Sequence, residues 1–190
     1  MNEGFIDLFK QFRYLRPNDL LELYRISSFK TYKSGEIIAR VGIVYPYMIG
    51  ILKGVIRTFV LDSNDNERTI RLATNGDFAS CARSVFKSEP SSEYLEVIED
   101  TKVILIDMEQ LKKLIIVNHR IMRVWNDGLS KAFLEATDRI AFFVALTPEE
   151  RYMYLKNNSA KLFDRVQDKY LASYIGVTTV SYSRIKKRIG

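Results

Sequence analysis

Arg184, Lys186, Lys187 and Arg188 stand close together near the C-terminal end, within Tyr170-LASYIGVTTVSYSRIKKRIG-190. Cations at this density suit phosphate, and an arginine fork also suits the paired acceptors of a guanine. The intervening residues decide whether that charge is aimed. Ala172 and Gly176 are four apart. The small residue lets a helix pack closely, and the glycine permits the positive φ needed to leave it. Leu171 and Ile175 form that helix's apolar face. Val177 opens a tight corner, and Thr178 suits the N-cap of a second helix. There Tyr182, Ile185 and Ile189 share one side, while Val180, Ser183, Arg184 and Lys187 lie on another. The pattern predicts a helix-turn-helix whose second helix can enter a major groove. The first residues of such a helix reach base edges, which points to Thr179, Val180, Ser183 and Arg184. Arg184 suits a guanine and Val180 a thymine methyl. Thr178, Ser181, Lys187 and Arg188 are expected on phosphates, which set register but carry no sequence information. The competing reading is a helical hairpin with a solvated basic face.

Other chemistries are poorly supplied. Cys81 is the one cysteine, so a disulfide within the chain or a cysteine-rich metal site is excluded. His119 is the one histidine, leaving no pair for a metal or a histidine-based catalytic cluster. No nucleotide-binding glycine loop or nucleophile triad is visible. Glu96, Glu99 and Asp100 read as solvated strand and turn charges, so the expectation is a protein that is not an enzyme. The 190 residues carry a net charge of +6, unevenly spread. Residues 151–190 hold nine basic and two acidic side chains, a net +7, which leaves −1 on residues 1–150. Basicity confined to the C-terminal fifth fits one region that meets a polyanion. The apolar runs fall far short of the roughly 18 residues of a membrane span. The N-terminus mixes charge with apolar residues, unlike a signal peptide. A soluble, cytoplasmic protein that does not enter a membrane is expected.

The elements that must position the basic motif follow from periodicity. Residues 1–28 read as helical: Phe5, Leu8, Phe9 and Phe12 recur at spacings of three and four, with Leu20, Leu21 and Tyr24 after Pro17. From Phe29 glycines punctuate short strands, in SGEIIARVG, YMIGILKG, VIRTFVLD and ERTIRLA. Val60-LDSNDNERTI-70 is a hairpin signal, and Tyr94-LEVIEDTKVILI-106 reads as two strands joined at Glu99-Asp100. Asp107 suits an N-cap, with Gln110 at the capping-box spacing. A long helix from about Arg120 to Leu146 follows. Ile121, Trp125, Leu129, Ala132, Ala136, Ile140 and Phe143 form one stripe along it, suited to pairing with a second copy. Thr147-PEE is a second capping box, with proline at the first helical position. Three parts are expected: a helical and β-roll domain over 1–118, a dimerisation helix over 119–146, and a helix-turn-helix domain over 147–190. The fold class is α+β, a jelly-roll-like β-roll with flanking helices.

At this point the residues resemble a family. Leu171-ASYIGVTTVSYSRIKK-187 is similar to the DNA-binding end of the bacterial Crp/Fnr superfamily. Tyr32-KSGEIIARVG-42, Met48-IGILKGVIRTF-59, Glu67-RTIRL-72 and Gly76-DF-78 resemble that superfamily's cyclic-nucleotide-binding-type β-roll. The order of roll, long helix and helix-turn-helix also agrees. The resemblance implies a non-catalytic transcription regulator, a homodimer joined along the long helix. It would bind a roughly palindromic operator on double-stranded DNA, with RNA polymerase as a further partner. The competing function is a ligand-binding or protein-interaction module that does not itself read DNA.

Departures from the family pattern bear on the ligand. Members that bind cyclic AMP carry a Gly-Glu cassette and then an arginine followed by a hydroxyl residue. Here the segment is Phe78-ASCARSVFKSEPSSEYLEV-97, with Ser80 and Cys81 at the Gly-Glu pair and no arginine near Ser91-Ser92. A cyclic nucleotide is therefore not expected, and no other cofactor or metal is evident. Gly76, Asp77, Phe78, Ser80, Cys81, Arg83, Ser84, Ser91, Ser92 and Tyr94 are the candidate contacts for a different small effector. The alternative is a roll that binds nothing. Gly190 ends the sequence where relatives continue into a β-hairpin wing, so the wing is expected to be short or missing.

Overall fold

The computed structural model describes residues 2–189. Two helices open the chain, α1 (Glu3–Phe9) and α2 (Pro17–Arg25). The strands are β1 (Ser27–Tyr32), β2 (Ile37–Ala39), β3 (Tyr47–Lys53), β4 (Val55–Leu61), β5 (Glu67–Thr74) and β6 (Phe78–Ala79). After the short helix α3 (Ala82–Lys87) come β7 (Tyr94–Val97) and β8 (Thr101–Asp107). The C-terminal helices are α4 (Met108–Val117), α5 (His119–Ala145), α6 (Pro148–Asn158), α7 (Ala160–Phe163), α8 (Asp168–Ile175) and α9 (Thr179–Ile189). The expectation of a helical N-terminus over 1–28 is corrected at its end, because Ser27 and Ser28 already pair with β8. The helices α3 and α7 are too short to leave a periodic signature and were not foreseen. Gly190, after which the wing is expected to be short or missing, lies outside the described residues.

The strands form two four-stranded sheets, ordered β1-β8-β3-β6 and β2-β7-β4-β5. Pairing is antiparallel in β1–β8, β3–β8, β2–β7 and β4–β7. The chain divides into two compact units. The first comprises Met1–Phe59 and Leu72–Gly128, the second Val60–Arg71 and Leu129–Gly190.

In the first unit the two faces of β8 explain its unbroken apolar run. Val103 and Leu105 point into the roll, whose interior is filled by Tyr32, Ile49, Ile51, Ile56, Cys81, Leu95 and Val97, with Tyr45 and Tyr47 against them. Ile104 and Ile106 face the other way, into a second core with Phe5, Leu8, Phe9, Leu23, Met108 and Leu111 from the flanking helices. A strand covered on both sides has no reason to alternate. Asp107 caps α4 by accepting from the Gln110 N–H at 2.9 Å. Asn118 starts α5, accepting from the N–H groups of Arg120 and Ile121 at 3.1 and 3.3 Å. Arg120 fastens that end to buried Asp19, with Nε 2.5 Å from Oδ2. The guanidinium holds the Asp19 carboxyl below the usual carboxylate range.

In the second unit Thr147 and Glu150 close the capping box of α6. Tyr152 of α6 is buried edge-on against Tyr182 of α9 and Phe163 of α7, at centroid distances of 5.6 and 5.5 Å. Leu171, Ala172 and Ile175 of α8 complete this core with Ile185.

Candidate nucleic-acid interface

The corner between α8 and α9 is set by Gly176, at φ +74°. A Cβ there would lie 2.7 Å from Phe143 Cε1 and 3.0 Å from Arg151 Nη1, so glycine is required by backbone and by space. Two bonds close the turn: the Gly176 N–H donates to the Ser173 carbonyl and the Val177 N–H to that of Ala172, at 3.1 and 3.0 Å. Thr178 then caps α9, its hydroxyl accepting from the Ser181 N–H at 3.1 Å. The same hydroxyl donates to Ser181 Oγ at 3.0 Å.

On α9 the division of faces is clear. Tyr182 and Ile185 are buried, and burial pushes the Tyr182 phenol up. Thr178, Thr179, Val180, Ser181, Ser183, Arg184, Lys187 and Arg188 are all exposed, Val180 at 59%. The eight predicted positions are therefore all solvent-facing on α9 and its N-cap. Their charges are not equally free. Arg188 is tied to Glu149, at the start of α6. Lys186 pairs with Asp168 of α8 at 2.9 Å. Among the described residues no ion pair involves Arg184 or Lys187. Thus the two cations on the Val180 face remain unneutralised while their neighbours brace the domain. Sequence spacing gave no sign of the Arg188–Glu149 pair, because its members are 39 residues apart.

The residues predicted to meet an effector do not all face the same way. Gly76 and Asp77 build the turn before β6: Gly76 has φ +85°, and the Asp77 carboxylate accepts from the Thr74 N–H at 3.0 Å. Phe78 stands on the outer face of its sheet against Phe9, with centroids 5.9 Å apart, and does not enter the roll. Tyr94 likewise points outward, stacked on Phe59 at 4.8 Å, because its neighbour Leu95 takes the inward position. Cys81 is wholly buried in the roll interior. The buried Ser84 hydroxyl accepts from the Tyr45 N–H and donates to the Glu89 carbonyl, at 3.1 and 2.9 Å. The Ser91 hydroxyl is spent on the backbone of Glu93. Arg83 pairs with Glu89 at 3.2 Å. Ser80 is partly exposed and Ser92 exposed. Eight of the ten are thus engaged in turns, packing or loop bonds, with Phe78 and Tyr94 facing away from the interior that holds Cys81.

Solved structures share this architecture. FixK2 from Bradyrhizobium japonicum is 19% identical with a TM-score of 0.72, covering 86% of this chain and 84% of its own. The c-di-GMP-responsive global regulator CLP of Xanthomonas campestris is 17% identical with a TM-score of 0.75, covering 92% and 91%. A protein described as a Crp/Fnr-family transcriptional regulator from Eubacterium rectale is 15% identical with a TM-score of 0.75, covering 95% and 86%. No curated protein matches the chain. Residues 29–118 match the family model of the cyclic nucleotide-binding domain. That segment is thus similar to a cyclic nucleotide-binding domain, and the chain has the fold of these solved regulators.

The predicted stripe on α5 is only partly available. Ile121 is 1% exposed and belongs to the core under α1 and α2, so it is spent on its own domain. Trp125 is half-buried and packs on Phe86 of α3, with centroids 5.6 Å apart. Phe143 is held by Arg139 and Arg151, whose guanidiniums lie 4.4 and 5.1 Å from its ring. Leu129, Ala132, Ala136 and Ile140 are exposed, Ile140 at 66%. Phe133 and Val144, which the sequence stripe omitted, are exposed at 73% and 82%. Leu129, Phe133, Ala136, Ile140 and Val144 follow spacings of four, three, four and four, an apolar edge of coiled-coil type. Among the described residues no helix is long and apolar enough to cross a membrane.

Proposed function

We propose that this chain is a DNA-binding transcription regulator that works as a homodimer, without catalysis, in a bacterial cytoplasm. The carrying observation is α9, which offers Val180, Ser183, Arg184 and Lys187 on one exposed face backed by buried Tyr182 and Ile185. A helix so backed can press into a major groove without unpacking its domain. Arg184 and Val180 read bases, and Thr179 and Ser183 lie beside them. Thr178, Ser181 and Lys187 take phosphates. Arg188 reaches a phosphate only by leaving Glu149, so its share is smaller. The exposed apolar edge of α5 supports pairing with a second copy, which would present two α9 helices to the halves of a palindromic operator. Three working parts follow, over residues 1–118, 119–146 and 147–190. RNA polymerase is the expected downstream partner.

The domain over residues 29–118 is proposed to receive an effector other than a cyclic nucleotide. The support is chemical: no arginine stands beside Ser91 and Ser92 to grip a cyclic phosphate, and the Ser84 and Ser91 hydroxyls bond backbone. Selection of bound sites from random duplexes tests the reading. The wild-type chain should enrich a two-fold symmetric sequence. Arg184→Ala should weaken binding to it by about 1–3 kcal/mol and relax preference at one base pair in each half. An equal loss on every sequence would make Arg184 a phosphate contact. Absence of any enrichment would favour a module that does not read DNA.

A further inference from the structure

The β4–β5 hairpin segment Val60–Arg71 belongs to the same compact unit as the C-terminal helices. β5 is the last strand of its sheet, and such an edge presents backbone groups with no strand to pair. Ser173 of α8 takes that strand's place. Its hydroxyl accepts from the Thr69 N–H and donates to the Glu67 carbonyl, both at 2.9 Å. Residues two apart on a strand aim their polar groups the same way, so one hydroxyl spans both. Arg139 of α5 adds a second bond between the same elements. Its Nη2 donates to the Thr69 carbonyl at 3.3 Å and to the Tyr174 carbonyl of α8. The guanidinium also lies 3.8 Å from the Tyr174 ring centroid, and a cation suits the last carbonyls of a helix.

The fastening carries an internal cost. Nε and Nη1 of Arg139 are buried without a hydrogen-bond partner, and buried donors left unmade oppose the arrangement that buries them. What is fastened also matters. Residues 62–68 hold Asp62, Asp65 and Glu67 against Arg68, a net charge of −2. Such a segment, tied to the helix that leads into α9, works against an approaching phosphate backbone.

We propose that the β4–β5 hairpin is an autoinhibitory clasp: Ser173 and Arg139 hold β5, which carries the acidic tip, on α8, and DNA binding by α9 strengthens when the clasp opens. This rests on the DNA-reading proposal above.

Ser173→Ala in the full chain removes the spanning hydroxyl from a partly exposed site and leaves a good helix former. Hydrogen exchange at the Thr69 N–H reports the clasp, and equilibrium binding to duplex DNA reports its consequence. Exchange at Thr69 should quicken and DNA binding should tighten, each by about tenfold, the effect of losing two bonds of ordinary strength. A domain that was merely damaged would bind more weakly. Faster exchange with unchanged or weaker DNA binding therefore overturns the clasp, and so does unchanged exchange. Asp65→Asn tolerates the same φ of +58° and should tighten binding at low salt only; no gain there overturns the role given to tip charge. If wild type and both variants fail to bind DNA at about 50 mM salt, the DNA-reading proposal falls and takes this one with it. Wild-type binding with no gain in Ser173→Ala overturns the clasp alone.

Discussion

Arg184 and Arg188 have the same side chain one helical turn apart, yet the fold treats them differently. Arg188 meets Glu149 on α6, whereas Arg184 is exposed beside Val180 and Lys187. Local spacing read the outward face of α9 correctly but could not see a carboxylate 39 residues away. Cys81 shows the same limit. The sequence places it in the segment expected to meet an effector, while the fold buries it in the roll interior. Burial pushes its thiol up to about 11, Glu93 adds to the rise and a hydrogen bond with Ser91 opposes it. Raising a thiol's pKa suppresses thiolate, so native protein should alkylate at pH 8 about 100-fold more slowly than the unfolded chain. The neutral thiol favours the fold below about pH 9, and that contribution declines as pH rises through about 11. Equal alkylation rates with and without denaturant would contradict the buried site.

At the scale of elements, capping and turn chemistry were the most legible features. Asp107, Thr147, Thr178 and Gly176 each act where their chemistry predicts, because caps depend on residues within one turn. Gly176→Ala should cost about 1–2 kcal/mol from the left-handed backbone alone and more from Phe143. Thermal unfolding should begin about 2–8 °C lower, with loss of DNA binding. An unchanged Tm would mean that the corner can relax. Orientation of long elements was less legible. α5 is apolar on more than one side because its first turns pack on Phe86 and the α1–α2 core. A stripe started at Ile121 therefore begins on a face already covered, and it passes over Phe133 and Val144. Phe133→Asp with Ile140→Asp should convert a dimer into a monomer by light scattering at micromolar concentration, with little change in Tm. A wild-type monomer would refute pairing along α5. The strands taught a similar lesson. Tyr94 and Phe78 looked like pocket residues, and only pairing register reveals that they face outward.

For the whole molecule, charge was the clearest global signal. Net basicity sits in the C-terminal fifth, which folds as the helices that carry α9. The order of roll, long helix and helix-turn-helix was readable because each part has its own periodicity. The clasp between β5 and α8 was not, since Ser173 and Thr69 are 104 residues apart and neither belongs to a motif. In the proposed dimer two α9 helices would stand about 34 Å apart, one turn of duplex. The central claim is that this basic face meets DNA, and salt dependence tests it most directly. Equilibrium binding of the full chain to duplex DNA should be measured between about 50 and 200 mM salt. The account predicts measurable binding at the low end and a fall of about 10³-fold or more, with a shallower slope for Lys187→Ala. No binding at about 50 mM salt, or binding indifferent to salt, would contradict it.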